Sequence, residues 1–203
     1  MRDYRRLLEQ KVGQQKQVIS SLESSRKNLE KLIAKKDNLE KAQALIQFIA
    51  QATQEQLRYH ISELISLALA SVFEEPYEFD VDFVQRRNQV ECDLWFVRDG
   101  NRISPMTASG GGAVNVAAFA LRVACHALKS PKSRSVLILD EPFQNVKGEE
   151  ANIKCIQMVK EVSKRLGLQV IMVSDERVAM KDIEEGADKV HTIKIKKGVS
   201  YVG

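Results

Sequence analysis

Apolar residues recur at heptad spacing through the first third of the chain. Taking Leu8, Gln15, Leu22, Leu29 and Lys36 as one heptad position makes Arg5, Val12, Ile19, Arg26 and Ile33 the other. Six of these ten sites are apolar, an imperfect coiled-coil seam that is strongest between Ile19 and Ile33. After a three-residue slip, Leu39, Ala42, Ile46 and Ile49 continue the stripe. Ile61, Leu64, Ile65, Ala68, Leu69 and Val72 then widen it into a face suited to a globular body. Residues 1 to 73 hold no proline and one glycine, Gly13. The pattern therefore predicts an unbroken helix, on the order of 100 Å long at 1.5 Å per residue. With no turn signal between Gln14 and Glu75, a projecting arm is favoured over a bundle folded back on itself.

Glu75-Pro76 ends the helix, and the period changes from heptad to two. Tyr77, Phe79, Val81 and Phe83 alternate with Glu78, Asp80 and Asp82. Arg86-Arg87-Asn88 reads as a turn, and Val90 to Val97 as the returning strand, with Cys92, Leu94 and Phe96 on one face and Trp95 on the other. Asp99-Gly100-Asn101 is expected to close this hairpin. Thr107-Ala108-Ser109-Gly110-Gly111-Gly112 runs into an Ala-rich, nearly all-apolar helix from Ala113 to Leu128. Val136-Leu137-Ile138-Leu139 reads as a strand buried on both faces, stopped by Asp140-Glu141-Pro142. Ile153, Ile156, Val159, Val162 and Leu166 form the stripe of another helix, which Gly167 terminates. Gln169 to Val173 is a second buried strand ending at Ser174-Asp175-Glu176, followed by a short helix to Gly186. A last hairpin pairs Val190 to Ile195 with Val199 to Val202 around Lys196-Lys197-Gly198. Strands alternating with helices predict an α/β arrangement with a parallel sheet.

Composition narrows the picture only slightly. The 203 residues are 44% hydrophobic and 29% charged, enough for one sizeable core with an appendage. No apolar run reaches 18 residues, so no membrane span is expected, and MRDYRRLLEQ has none of a signal peptide's apolar core. Cys92, Cys125 and Cys155 follow no metal-ligand spacing and read as small core residues in a reducing compartment. Residues 1 to 60 carry twelve Lys/Arg against seven Asp/Glu, so about +5 sits on the arm and the rest of the chain offsets the chain total to +4. A solvated helical surface accounts for these charges, and they do not establish a DNA-binding face.

Two stretches carry candidate chemistry. A strand that delivers adjacent carboxylates to its C-terminal end places them where open α/β sheets bind ligands. One acid can support Mg²⁺ through water and the other can orient an attacking water. Three successive glycines before a helix let backbone N–H groups approach a phosphate, with the hydroxyl of Ser109 beside them. A solvated acidic turn and a glycine-rich loop without ligand are the plain alternatives.

The order of these elements resembles the C-terminal half of the ABC-class ATPase heads of the SMC family. Within that family it is similar to the SbcC-like DNA double-strand-break repair ATPases and their viral recombination-endonuclease relatives. The resemblance covers nearly the whole chain, with its specific motifs between Ser109 and Asp175. It implies an ABC-ATPase-type α/β head lobe with a mostly parallel sheet, preceded by a β-hairpin and a long helix of an antiparallel coiled coil. The arm is expected over residues 1–58 and the lobe over 59–203. Ser109, Gly110, Gly111 and Gly112 match the signature loop, which in the family contacts nucleotide held by the opposite subunit. Asp140 matches the Walker B aspartate that supports Mg²⁺ through water, and Glu141 the catalytic residue that polarises the hydrolytic water. Asn145 and Lys147 fall on the loop that crosses the dimer interface, Ser174 and Asp175 on the switch, and Arg122 on the signature helix.

The departures are informative. Asn145-Val146-Lys147 stands where the family reads Asn-Leu-Asp, and Val173-Ser174-Asp175 where it reads Ser-His-Asp, so the γ-phosphate-sensing histidine is missing. His60, His126 and His191 lie elsewhere and read as structural. No Gly-x-x-x-x-Gly-Lys-Ser/Thr occurs, so the phosphate-cradling loop is not in this sequence, which reads as a C-terminal half. The resemblance implies an ATPase using ATP and Mg²⁺ that hydrolyses only when completed by a Walker A-containing half. Its implied partners are that N-terminal half, a second head, a nuclease subunit and DNA, in the cytoplasm at the nucleoid and with no membrane. A chromosome-organising SMC-like subunit and a degenerate, non-hydrolysing adaptor are the alternatives. A transporter subunit does not account for the long helical arm.

Overall fold

The computed structural model describes every residue except Met1, Asn88, Ser109, 175–177, Lys197 and Gly203, together with the side chains of Ala108 and Lys196. The predicted N-terminal helix forms without a break as α1, Arg2–Val72. Its residues are shared between two compact units, Met1–Gln54 and Glu55–Gly203. In the first unit the seam residues Leu8, Val12, Ile19, Leu22, Leu29 and Ile33 are all exposed, as are Leu39, Ile46 and Ile49. Among the described residues of that unit no second helix packs on the seam.

In the second unit the last turns of α1 bury Ile65, Leu69 and Val72, spaced by four and then three residues. Leu64, expected on this face, is 53% exposed, because it falls one position round the helix from Ile65. The buried side chains meet an antiparallel sheet of β1 (Glu78–Arg86), β2 (Gln89–Arg98) and β3 (Asn101–Ile103). The register sets Phe79 opposite Phe96 and Val81 opposite Leu94. Phe96 is fully buried, with Tyr77 stacked on it at 5.1 Å and Phe79 edge-on at 5.9 Å. The Phe79 N–H donates to Ser66 Oγ at 2.8 Å, tying β1 to α1.

Asp99 and Gly100 do not end the sheet. Both have positive φ, 51° and 76°, and they form the tight turn into β3, a third strand too short to show as alternation. A single-turn helix, α2 (Pro105–Ala108), follows, and then α3 (Gly111–Leu128), two residues longer at its start than expected. Gly111 and Gly112 therefore belong to the first turn of a helix and not to an open loop.

The parallel element is small: β4 (Val136–Asp140) pairs in parallel with β5 (Gln169–Val173) across α4 (Glu149–Leu166). Leu137 and Leu139 are buried against Phe119 of α3 and Val159 of α4. The other face is bare, with Ile138 71%, Ile171 51% and Val173 54% exposed. The expectation of a strand buried on both faces is thus corrected, since α3 and α4 pack on one side only. Gly167, at φ 61°, caps α4, and its N–H donates to the Ser163 carbonyl. α5 (Met180–Gly186) leads to a separate antiparallel hairpin of β6 (Ile193–Lys196) and β7 (Val199–Val202). Of the cysteines only Cys155 is core; Cys92 lies in the exposed first half of β2, and Cys125 is exposed beside the buried Ala124 of α3. Burial pushes the Cys155 thiol up to about 12.

Candidate functional site

The site is built on the C-terminal end of β4. Asp140 is the last residue of the strand and pairs with Val173 of β5. Glu141 follows in the left-handed region, at φ 40°, which a residue with a Cβ adopts at a cost of about 1–3 kcal/mol. Its N–H donates to the Val173 carbonyl at 3.0 Å, so the parallel ladder itself holds the strained residue. Both carboxylates are exposed. A crevice of about 20 Å³, room for one water molecule, lies beside Glu141 and is lined also by Phe143, Gln144, Met172 and Ser174.

Two interlocking turns carry the chain from Glu141 to the next helix. The Gln144 N–H donates to the Glu141 carbonyl at 3.2 Å, and the Val146 N–H to the Phe143 carbonyl at 2.9 Å. Val146 is buried, and Phe143 meets Phe119 of α3 edge-on at 5.5 Å. Asn145 and Lys147 flank the buried valine and are both exposed. Lys147 opens onto a groove of about 490 Å³ shared with Glu149 and Asp182.

The structure brings the glycine turn and this loop together. A Cβ at Gly111 would lie 2.8 Å from Asn145 Cβ, and one at Gly112 would lie 3.1 Å from the Asn145 carbonyl oxygen. At Gly111 a Cβ would force Asn145 to shift, and at Gly112 it would be a tight contact with the loop backbone. The Asn145 N–H donates to Asn115 Oδ1 on α3 at 3.2 Å. On the other side, Asn152 of α4 is buried and its Nδ2 donates to the Gly148 carbonyl at 2.8 Å and to the Val146 carbonyl at 3.4 Å.

Gly110, Gly111, Gly112, Asn145, Asp140 and Glu141 are thus carried by neighbouring elements, with Gly111 and Gly112 closest to Asn145. Ser174 is half-buried at the end of β5 and lines the crevice beside Glu141. Arg122 is exposed on α3, ten residues beyond the glycine turn. Ser109 and Asp175 lie outside the described residues. Asn115 and Asn152 did not emerge from the sequence reading. A signal existed for Asn152, since it stands four residues before Ile156 and seven before Val159, a polar residue on the core-facing stripe. Asn115 interrupts the otherwise apolar start of α3.

Away from this site, the charged residues of β1 and β3 form a network. Arg58 grips Asp80 with two hydrogen bonds of 3.1 Å, and Arg102 bonds Asp80 at 2.5 Å and also pairs with Asp82. Burial opposes ionisation of Asp80, but the hydrogen bonds from Arg58 and the Val81 N–H and the two arginine charges outweigh it and hold its carboxyl below the ordinary range.

No family model matches the chain, and no curated protein matches it. Solved structures do. One, from work on ATP-driven dimerization and DNA-stimulated activation of SMC ATPases, is 17% identical, with a TM-score of 0.54 over 75% of this chain and 87% of its own. An Smc head bound to the C-winged helix domain of ScpA is 18% identical, with a TM-score of 0.56 over 72% of this chain and 42% of its own. An Smc head with an extended coiled coil, bound to the C-terminal domain of ScpA and derived from Pyrococcus furiosus, is 18% identical, with a TM-score of 0.53 over 79% and 40%. The chain spans less than half the length of those two head structures. Long helix, antiparallel strands, glycine-led helix and parallel pair together are the fold of part of an SMC head domain.

Proposed function

We propose that the chain forms part of the ATP-hydrolysing head of a DNA-repair or recombination ATPase of the SbcC-like kind. In this reading two heads sandwich nucleotide, and this chain supplies the signature turn and the Walker B strand. The observation that supports it most is the end of β4, where two exposed acids follow a parallel strand and the second is held at φ 40° by the neighbouring strand. Strained backbone at an exposed acid beside a water-sized crevice fits a residue that must orient water.

Among the described residues no group of three or more His, Cys, Asp or Glu stands ready to hold a metal. A single exposed Asp140 fits Mg²⁺, which keeps most of its waters and takes one or two carboxylates plus phosphate oxygens. Mg²⁺, when bound with nucleotide, neutralises phosphate charge. Asp140 would hold it through water, and Glu141 would orient the attacking water. The Ser109 to Gly112 turn would present N–H groups to nucleotide gripped by the opposite subunit. Asn145 and Lys147 would face that subunit across the interface. Ser174 and Asp175 would take the part of the family's switch, and Arg122 would connect the signature helix to the rest of the head. Closure would depend on the γ-phosphate, and hydrolysis would release it.

The bare face of Val136, Ile138, Ile171 and Val173 fits the same reading, with the Walker A-containing half as the layer that covers it. A nuclease subunit and DNA complete the proposed assembly. A second reading, an SMC-like chromosome-organising head carrying a winged-helix partner, is favoured by the likeness to ScpA-bound heads.

The test combines the chain with a Walker A-containing half and compares Glu141→Gln with the parent. ATP turnover is expected to fall about hundredfold or more, while nucleotide-dependent association of heads persists. Undiminished turnover would remove Glu141 from this role.

A further inference from the structure

We propose that Asn115 and Asn152 are positioning residues that clamp the glycine turn of α3 and the Asn145–Lys147 loop into one rigid unit. This coupling rests on the reading of the site given under Proposed function, and it adds how the two interface elements and Glu141 are kept in register.

Three independent contacts argue for the clamp. The Asn145 N–H has its acceptor on α3, at Asn115 Oδ1, and not on its own loop. At Gly111 and Gly112 the two elements approach so closely that a Cβ on the first would lie 2.8 Å from Asn145 Cβ and one on the second 3.1 Å from the Asn145 carbonyl oxygen. The buried Asn152 amide takes the Val146 and Gly148 carbonyls from the opposite side, so the loop is held from α3 and α4 at once. A buried amide of this kind is not a bystander: the Gly148 carbonyl keeps the Asn152 backbone N–H, but loss of the side chain takes away the donor that reaches the Val146 carbonyl.

The clamp also reaches the acid. Asn145 stands between Val146, bonded to the Phe143 carbonyl, and Gln144, bonded to the Glu141 carbonyl. A displacement of the glycine turn therefore passes through Asn145 to the backbone of Glu141 in two hydrogen-bonded turns. Elements that face the opposite subunit would engage it together and signal that engagement to the residue that orients water. Arg122, on the same helix as Asn115, and Lys147, on the loop itself, are the charged groups carried by this unit.

Hydrogen exchange on the chain alone tests the clamp without any nucleotide. Asn115→Leu is expected to speed exchange of the Asn145 amide about tenfold, one net hydrogen bond's worth, and to loosen the Ala113 and Val114 amides with it. Asn115→Asp keeps the acceptor and is expected to restore both. Gly112→Val, which pushes on the Asn145 carbonyl, is expected to loosen the same amides with Asn115 intact. Loosening of one segment without the other, or failure of Asn115→Asp to restore protection, would overturn the proposal.

In the completed head, Asn115→Leu is expected to weaken nucleotide-driven association of heads about tenfold, while each isolated head still binds ATP. Association at the parent's strength would overturn the coupling, with the ATPase reading intact. If the parent itself fails to bind ATP or to associate, the ATPase reading falls, and the exchange result alone decides the clamp.

Discussion

The two larger sheets of the second unit alternate in burial with the same period and come to opposite ends. In β1 the buried positions are Phe79 and Val81, and the residues that alternate with them are Glu78, Asp80 and Asp82. In β4 the buried positions are Leu137 and Leu139, and the residues that alternate with them are Val136 and Ile138. The outer face of the first sheet is finished in charge, tied down by Arg58 and Arg102. The outer face of the second is apolar and open, and β5 extends it with Ile171 and Val173. An alternating burial pattern therefore means different things in the two places. One sheet has completed its layers within this chain, and the other carries the composition of a strand with a layer on each side.

The sharpest way to break this comparison is to remove one central side chain from the finished sheet. Phe96 is fully buried between Tyr77 and Phe79, so Phe96→Ala is expected to destabilise the chain by about 3–5 kcal/mol in urea unfolding. A cost below 1 kcal/mol would show that this sheet is not the completed core.

A smaller effect is expected from the charged face. Asp80→Asn is expected to cost of order 1 kcal/mol at neutral pH. The Asp80 carboxyl lies below its unfolded value of about 3.9, so the folded state releases its proton more readily. Its contribution is therefore present above pH 4 and is lost as pH falls through the folded value. Parent and variant should converge in stability in that acid range, and a gap that persists there would place the effect in packing and not in charge.

The smallest effect in the chain by itself belongs to the bare face. Ile138→Ser is expected to change stability by no more than about 0.5 kcal/mol, although isoleucine is the more apolar residue. The same variant is expected to weaken association with the proposed Walker A-containing half. A large loss in the isolated chain would mean that the face is already covered.

Much of the architecture was legible because its causes are local. The helix of Arg2–Val72 follows from a stretch without proline, the end of α4 from Gly167 at φ 61°, and the acids at the end of β4 from Pro142 immediately after them. The third strand was missed because Asp99-Gly100 marks a tight turn equally well at the end of a sheet or in its middle, and Asn101–Ile103 is too short to declare a period. Cys92 and Cys125 were misplaced because residue type reports an average burial, while position relative to the packed layer decides the individual case. The acids and the glycines were found, but Asn115 and Asn152 were not, since an asparagine does its work through whichever backbone carbonyl or amide the fold brings within 3 Å or so.

The sequence by itself determined the order of helices and strands, the turn chemistry and the identity of the chemical groups, because hydrogen bonds within one element and the stiffness of each residue depend on near neighbours. Only the tertiary structure decided which face of β4 is covered, that Gly111 and Gly112 press against Asn145, and that the amide of Glu141 is held by Val173. Those contacts join segments some thirty residues apart in the chain, and burial is a property of the layer that arrives on a surface, not of the residue that waits there.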